Sequence, residues 1–360
     1  MSTILDIIKP GIIFGEDIKK LFNIAKEKKF AIPAINCTSI DTINAVLETA
    51  DRVRSPVIIQ FSYTGCIYMA GKNIKNTPNH IKATLGAISA AHHVHLVAKK
   101  YNIPVILHTD HCHRNILPWI DNLLHIGKKH FKKTGYPIFS SHMLDLSSDP
   151  IKENILICST YLSKMKKINM ILEIELGCTG GEEDGINNEN INNELLYTNP
   201  IDINYAYEKL SEISKNFTIA AAFGNVHGVY NTQNIHLKPE ILKNAQKYIV
   251  QQHHLNKLCP INFVFHGGSG SSIQDIKKSI NYGVVKINFD TDIQWYSWRG
   301  ILEYYKSHKL YLQTQLGNPS GQNEPNKKHY DPRKWMHASK KSISKRMKKI
   351  FKKLNAYHLW

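Results

Sequence analysis

Eight short runs of β-branched and apolar residues, each ending in polar residues or glycine, constrain this chain more than any other feature. They span residues 31–36, 56–62, 104–111, 136–145, 170–177, 218–225, 261–268 and 284–291. Each is too short for an ordinary helix and too apolar for a half-exposed strand, so each reads as a strand buried on both faces. Segments with helical periodicity lie between them at 41–53, 85–99, 117–131, 205–214 and 272–282, with Pro118 tolerated in a first helical turn. Strand and helix in alternation imply parallel strands with right-handed crossovers, and eight such strands close a barrel. The predicted fold is α/β, a (β/α)8 TIM barrel.

Two regions fall outside the repeat. Residues 178–200 form a polar, acidic, Gly/Asn-rich loop inserted after the fifth strand. Residues 301–360 form a helical C-terminal extension split by a polar segment at 317–332. In that extension Ile343, Met347, Ile350, Phe351 and Leu354 share one helical face, and lysines crowd the others. The expected role of that apolar face is to pack on the chain's own barrel rather than on a membrane. The chain reads as one barrel domain over 1–360, with the barrel at about 31–300.

Composition excludes more than it identifies. At 360 residues with 42% hydrophobic content, the chain can bury a core without disulfides. Cys37, Cys66, Cys112, Cys158, Cys178 and Cys259 are scattered without a C-x-x-C, which predicts free thiols in a reducing compartment. No basic, apolar leader opens the chain and no apolar run approaches a membrane span, so a cytoplasmic protein without membrane partners is expected. The formal charge of +17 comes from scattered lysines in an Asn- and Ile-rich sequence, without aromatic-interleaved basic stripes. That pattern reads as compositional drift rather than as a nucleic-acid surface.

Functional side chains of a barrel gather at the C-terminal ends of its strands. Here those ends carry His108, Asp110, His111, His142, Asp145, Glu173, Glu175, Asn225, His227, His266, Asn288 and Asp290. His111, His227 and His266, one at each of three strand ends, suit a catalytic zinc with one position left for substrate. The rival set His92, His93 and His95 lies mid-helix on the outer ring and reads as structural or as support behind the metal ligands. Gly267, Gly268, Ser269 and Gly270 resemble a phosphate cradle ahead of a helix N-terminus. They lack the Gly-Lys-Ser/Thr of a nucleotide loop. Asp110 adjoins a candidate ligand and could tune it or move protons. Glu182 and Glu183 lie in a glycine-flanked loop suited to a closing lid. Asp145 and Glu175 are either ordinary strand-end carboxylates or ligands of a second metal position.

Five long motifs carry a resemblance: 105–112 (VILHTDHC), 172–185 (LEIELGCTGGEEDG), 223–230 (FGNVHGVY), 263–270 (FVFHGGSG) and 326–333 (NKKHYDPR). With them the chain resembles class II fructose-bisphosphate aldolases of the longer bacterial and fungal type. The resemblance implies a catalytic zinc on His111, His227 and His266, an alternative or structural metal position at Asp145 and Glu175, and a monovalent cation, K+ or Na+. It implies Asp110 as proton carrier at the C4 oxygen, and Glu183, or else Glu182, as the base for the dihydroxyacetone phosphate C–H proton. Gly228, Gly267, Gly268, Ser269, Asn288, Phe289, Asp290 and Thr291 would surround that three-carbon unit. Asn36, Ser62, Lys327 and Arg333 would meet the far end, in a homodimer whose partner could supply the arginine. One departure stands out: after the second strand a glycine-rich loop is expected, but the chain reads Ser62-Tyr63-Thr64-Gly65, which predicts a bulkier, stiffer loop. Tagatose-bisphosphate aldolase and, more remotely, a barrel metallohydrolase remain as alternatives.

Overall fold

The computed structural model describes residues 3–183, 186–188, 196–227 and 236–360, without the side chains of 182, 183, 186–188 and 227. Eight parallel strands form the barrel: β1 (Ile32–Asn36), β2 (Val57–Phe61), β3 (Pro104–Cys112), β4 (Ser141–Leu144), β5 (Ile171–Leu176), β6 (Phe217–Ala221), β7 (Phe263–Phe265) and β8 (Val284–Phe289). Their hydrogen-bonded order is β3-β2-β1-β8-β7-β6-β5-β4, and β4 pairs back onto β3 to close the ring. All six residues of β5 and all nine of β3 are buried, as strands covered on both faces must be.

Each of the eight predicted runs overlaps one barrel strand, β3 and β6 each extending one residue beyond theirs. The fourth is shorter than its run of apolar residues suggested. A two-residue strand, Gly11–Ile12, pairs with Pro104 and Val105 of β3. That pairing takes the edge which residues before Ser141 would have used. Ser140 then ties the layers together, accepting from the Leu107 amide at 3.0 Å and donating to the Ile13 carbonyl at 2.7 Å.

The five expected helices are present as Ile40–Val53, Asn79–Val97, Leu117–Thr134, Pro200–Ile213 and Ile273–Asn281. Gly15–Lys28, Tyr63–Ala70, Ile151–Lys166 and Glu240–Gln252 add four more. The helix Ile151–Lys166 escaped the apolar period because Asn154 and Cys158 occupy its buried face, Asn154 bonding the carbonyls of Leu146 and Glu175.

The segment after β2 is a helix and not the stiff loop expected. Ser62 caps it, accepting from the Gly65 amide at 3.2 Å. Among the described residues of the insertion after β5, Gly180–Glu183 pairs with Ile186–Asn188 and, in parallel, with Val226–His227.

The C-terminal helix Pro332–Lys353 packs as its pattern predicts, burying Ile343, Met347, Ile350 and Phe351, with Leu354 just beyond its end. The polar segment ahead of it folds into a hairpin of Leu316–Asn318 and Gly321–Pro325, followed by a short helix Lys327–Tyr330. Among the described residues no helix is long and apolar enough to cross a membrane. All six cysteines are free thiols.

Candidate active site

Residues two apart on a strand face the same side, so β3 turns His108 and Asp110 inward together, and β5 does the same with Glu173 and Glu175. His111 follows Asp110 directly and on a regular strand would point away. The pairing of β3 with β4 shifts register between Thr109 and Cys112, and His111 adopts φ 42°. A bulge of this kind re-aims a side chain, and left-handed backbone at a non-glycine residue is uncommon. Its consequence is that one ligand atom each of Asp110, His111 and His266 lies within 4.8 Å of the others, all three residues buried. The His111 and His266 rings meet edge to face with centroids 4.7 Å apart.

Three carboxylates, Asp145, Glu175 and Glu173, flank this cluster. His111 Nδ1 is 3.0 Å from Asp145 Oδ2 and 3.7 Å from Glu175 Oε2, and His111, Asp145 and Glu175 form a second buried donor set. Burial opposes ionisation of Asp145, yet its contacts with His111 and His113 and the Ser147 hydroxyl hold it below the usual carboxylate range. Beneath the first cluster, His266 Nε2 lies 3.0 Å from Glu173 Oε1, and Lys286 Nζ donates to both Glu173 oxygens at 2.8 Å. Burial again opposes the charge on Glu173, and the Lys286 ammonium, with His108 and His266, outweighs it and keeps the carboxyl low. Burial pushes the His266 imidazole down, which favours the neutral form able to bind a metal.

Asp110 is fully buried and held by side-chain amides. Gln60 Nε2 donates to Oδ2 at 2.7 Å, Asn36 Nδ2 to the same oxygen at 3.1 Å, and Asn288 Nδ2 to Oδ1 at 3.4 Å. These three neutral donors fix the orientation of the Asp110 side chain, with His108 Nε2 3.9 Å from its Oδ1.

Comparison with known proteins agrees along the whole chain. Residues 16–358 match the family model described as fructose-bisphosphate aldolase class-II. A protein named fructose-bisphosphate aldolase class 2 from Buchnera aphidicola subsp. Schizaphis graminum is 60% identical over 357 residues, covering 99% of each chain. Its Escherichia coli (strain K12) counterpart is 58% identical over 358 residues, again covering 99% of each. The crystal structure of fructose-bisphosphate aldolase from Campylobacter jejuni superposes with a TM-score of 0.91 at 51% identity over all of both chains. The chain belongs to the class II fructose-bisphosphate aldolases.

In this aldolase the buried imidazole and carboxylate donors suit the metal on which the family's chemistry depends. His111 and His266 converge with Asp110, and Asp145 and Glu175 supply a neighbouring set. The side chains of His227, Glu182 and Glu183, and the whole of Gly228, lie outside the described residues, although the backbone pairs Gly181 with His227.

Gly267 has φ 68°, and a Cβ there would sit 2.3 Å from the Val226 carbonyl, so only glycine lets this turn approach β6's outgoing chain. Ser269 Oγ accepts from the Asp292 amide at 3.4 Å, tying the turn after β7 to the helix Thr291–His308. Asp290 stands at that helix's N-terminus and receives Gln294 Nε2 at 2.8 Å. Gly268 and Phe289 are buried beside them, and Thr291 opens the helix. Lys327 and Arg333 lie on the surface; Arg333 is 89% exposed and pairs with Asp331 at 2.6 Å.

His95 Nε2 contacts the Ile138 carbonyl at 2.8 Å and stacks on Phe14 and Tyr136, and His93 contacts Asn44 at 2.9 Å, so these two make packing contacts on the outer ring, while His92 is exposed. Sequence reasoning assigned no role to Gln60, His108, Glu173 or Lys286. The signal was present: a charged or amide residue inside an otherwise apolar strand, two places before or after a recognised one.

Proposed function

We propose that this chain cleaves fructose 1,6-bisphosphate reversibly to dihydroxyacetone phosphate and glyceraldehyde 3-phosphate, with zinc as its resident metal. The observation that carries the reading is the placement of Asp110, oriented by three amides, against the His111–His266 pair. The metal would be held by His111, His266 and His227, with Asp145 and Glu175 as a second divalent position. When bound, it would act as a Lewis acid on the substrate's carbonyl end.

The chain's own groups supply the rest. Asp110 takes the proton of the C4 hydroxyl as the C3–C4 bond breaks and returns it in condensation. Glu183 returns the C–H proton to the three-carbon product, with Glu182 as its neighbour on the same strand. The Gly267–Ser269 turn, Gly228, Asn288 and the Asp290–Thr291 helix start receive the dihydroxyacetone phosphate half, with K+ or Na+ beside its phosphate. Asn36, Ser62, Lys327 and Arg333 receive the other half.

We further read the chain as one 1–360 unit acting as a homodimer in the cytoplasm. Trp295, Trp298 and Tyr305 are exposed along one helix, and Leu310 and Leu316 follow. This apolar stretch in the segment leading to Arg333 supports a second copy as its cover. The test is a cleavage assay with metal content measured in parallel. Chelation should abolish triose phosphate release, zinc should restore it, and borohydride with substrate should leave activity intact. Irreversible borohydride trapping, faster turnover of tagatose bisphosphate, or net water consumption would each replace this reading.

A further inference from the structure

A cavity of about 460 Å³ opens at the end of the barrel opposite His111 and His266, where β6 and β7 begin. Lys19, Lys26, Lys215 and Lys257 line it, and no carboxylate does. With 46 Lys and Arg in 360 residues, a random twelve-residue lining would hold about one or two basic groups, so compositional drift does not account for four, of which only Lys19, with Glu16, forms an ion pair among the described residues.

Lys26 sets the cavity apart. It sits in the last turn of the helix Gly15–Lys28 and is only 8% exposed. Its Nζ donates to the Cys259 carbonyl at 3.0 Å, and no carboxylate among the described residues forms an ion pair with it. An ammonium has three hydrogens to place and is costly to bury without an opposite charge. Burial, reinforced by the neighbouring Lys257, pushes Lys26 down to about 8. Lys257 donates to Asn23 Oδ1 at 3.0 Å, and Lys215 donates to the Tyr207 hydroxyl at 3.2 Å, so neither meets a carboxylate. The remaining wall is of another kind: Phe217, Leu255 and Ile261 are apolar, and Asn262 Oδ1 is buried without a hydrogen-bond partner among the described residues.

We propose that this cavity binds a small organic phosphate, its phosphate on Lys26 and Lys257 and its body against Phe217 and Ile261. The volume is in the range of small-molecule sites, and charge on one side with apolar surface on the other fits such a ligand. The site shares no residue with the aldol centre, so it stands apart from the proposed cleavage reaction.

Phenyl phosphate, which joins the two chemistries, is the probe. Equilibrium dialysis of the metal-loaded protein should find one bound molecule per chain beyond any accounted for by inhibition of cleavage. Lys26→Met and Lys257→Gln should each weaken that binding at least tenfold, with kcat and KM for fructose bisphosphate within twofold of the parent. Lys257 is exposed, so its variant decides the matter if Lys26→Met folds poorly. No additional bound molecule, or binding unchanged in Lys257→Gln, overturns the site. Inorganic phosphate binding as tightly as phenyl phosphate overturns the organic half of the assignment.

Discussion

Lys286 Nζ lies 2.8 Å from both carboxylate oxygens of Glu173, at the centre of the barrel and away from water. Glu173 in turn meets Nε2 of His266, so the lysine's charge is relayed as orientation to a candidate metal ligand. Partners of this kind hold an imidazole in one tautomer and typically matter about 10- to 100-fold in metal affinity. Lys286→Met should therefore release zinc to a chelator at least about tenfold faster than the parent. Glu173→Gln, which keeps a hydrogen-bond acceptor, should lie between the two. Unchanged zinc retention in Lys286→Met would show that the pair only fills the barrel.

Asp110 and Glu183 are assigned to opposite ends of the bond that breaks. Asp110→Ala should lower cleavage by about 100- to 10,000-fold while the dihydroxyacetone phosphate C–H proton still exchanges with solvent. Glu183→Ala should suppress that exchange with zinc content unchanged. Deuterium incorporation and cleavage rate, measured on both variants, check the division. Parent-like exchange in Glu183→Ala would move the role to Glu182.

Arg333 presents a planar fork at the surface, suited to a phosphate. Arg333→Ala should slow cleavage of the bisphosphate far more than that of a sugar 1-phosphate. Mixing Arg333→Ala with Asp110→Ala chains should restore activity in hybrid dimers if the arginine serves the partner's site. Equal losses on both substrates would make Arg333 structural.

Gly86 packs against the helix that Ser62 caps. A Cβ at Gly86 would lie 1.9 Å from the Cys66 carbonyl oxygen, so Gly86→Ala must push the two helices apart. A stability loss of about 1–3 kcal/mol is expected, with KM for the bisphosphate rising as Ser62 moves. Denaturant titration and steady-state kinetics test both halves, and a parent-like midpoint would refute the contact.

His142 is buried beside Thr109, with Nδ1 2.7 Å from the threonine hydroxyl, and burial lowers it to about 3. A depressed histidine binds its proton more readily when unfolded, so the native state loses stability as pH falls from 6.5 towards 3. Between pH 7 and 5 the loss from this group is about 2 kcal/mol. Replacing His142 with Gln should flatten that part of the pH profile in denaturant titrations at the two pH values. An unaltered slope would mean that the native state accommodates the charged ring.

Strand positions, the closing of eight strands into a barrel and the buried face of the C-terminal helix were legible in the sequence. Each depends on local hydrophobic period, which neighbours along the chain report. Asp110, His111 and His266 were legible as residue types at strand ends, which a barrel gathers on one rim. That consecutive Asp110 and His111 both reach one cluster was not legible, because it requires a register shift against β4 and left-handed backbone at His111. Only the closed barrel brings Lys286 of β8 to Glu173 of β5, since a buried charge is tolerable just where its opposite is delivered by a distant strand. The helix after β2 was not legible for a related reason. Its short sequence becomes helical through the Ser62 cap and through Gly86, whose missing side chain lets the neighbouring helix close in. Periodicity is a property of the chain, whereas compensation of charge and close approach are properties of the packed molecule.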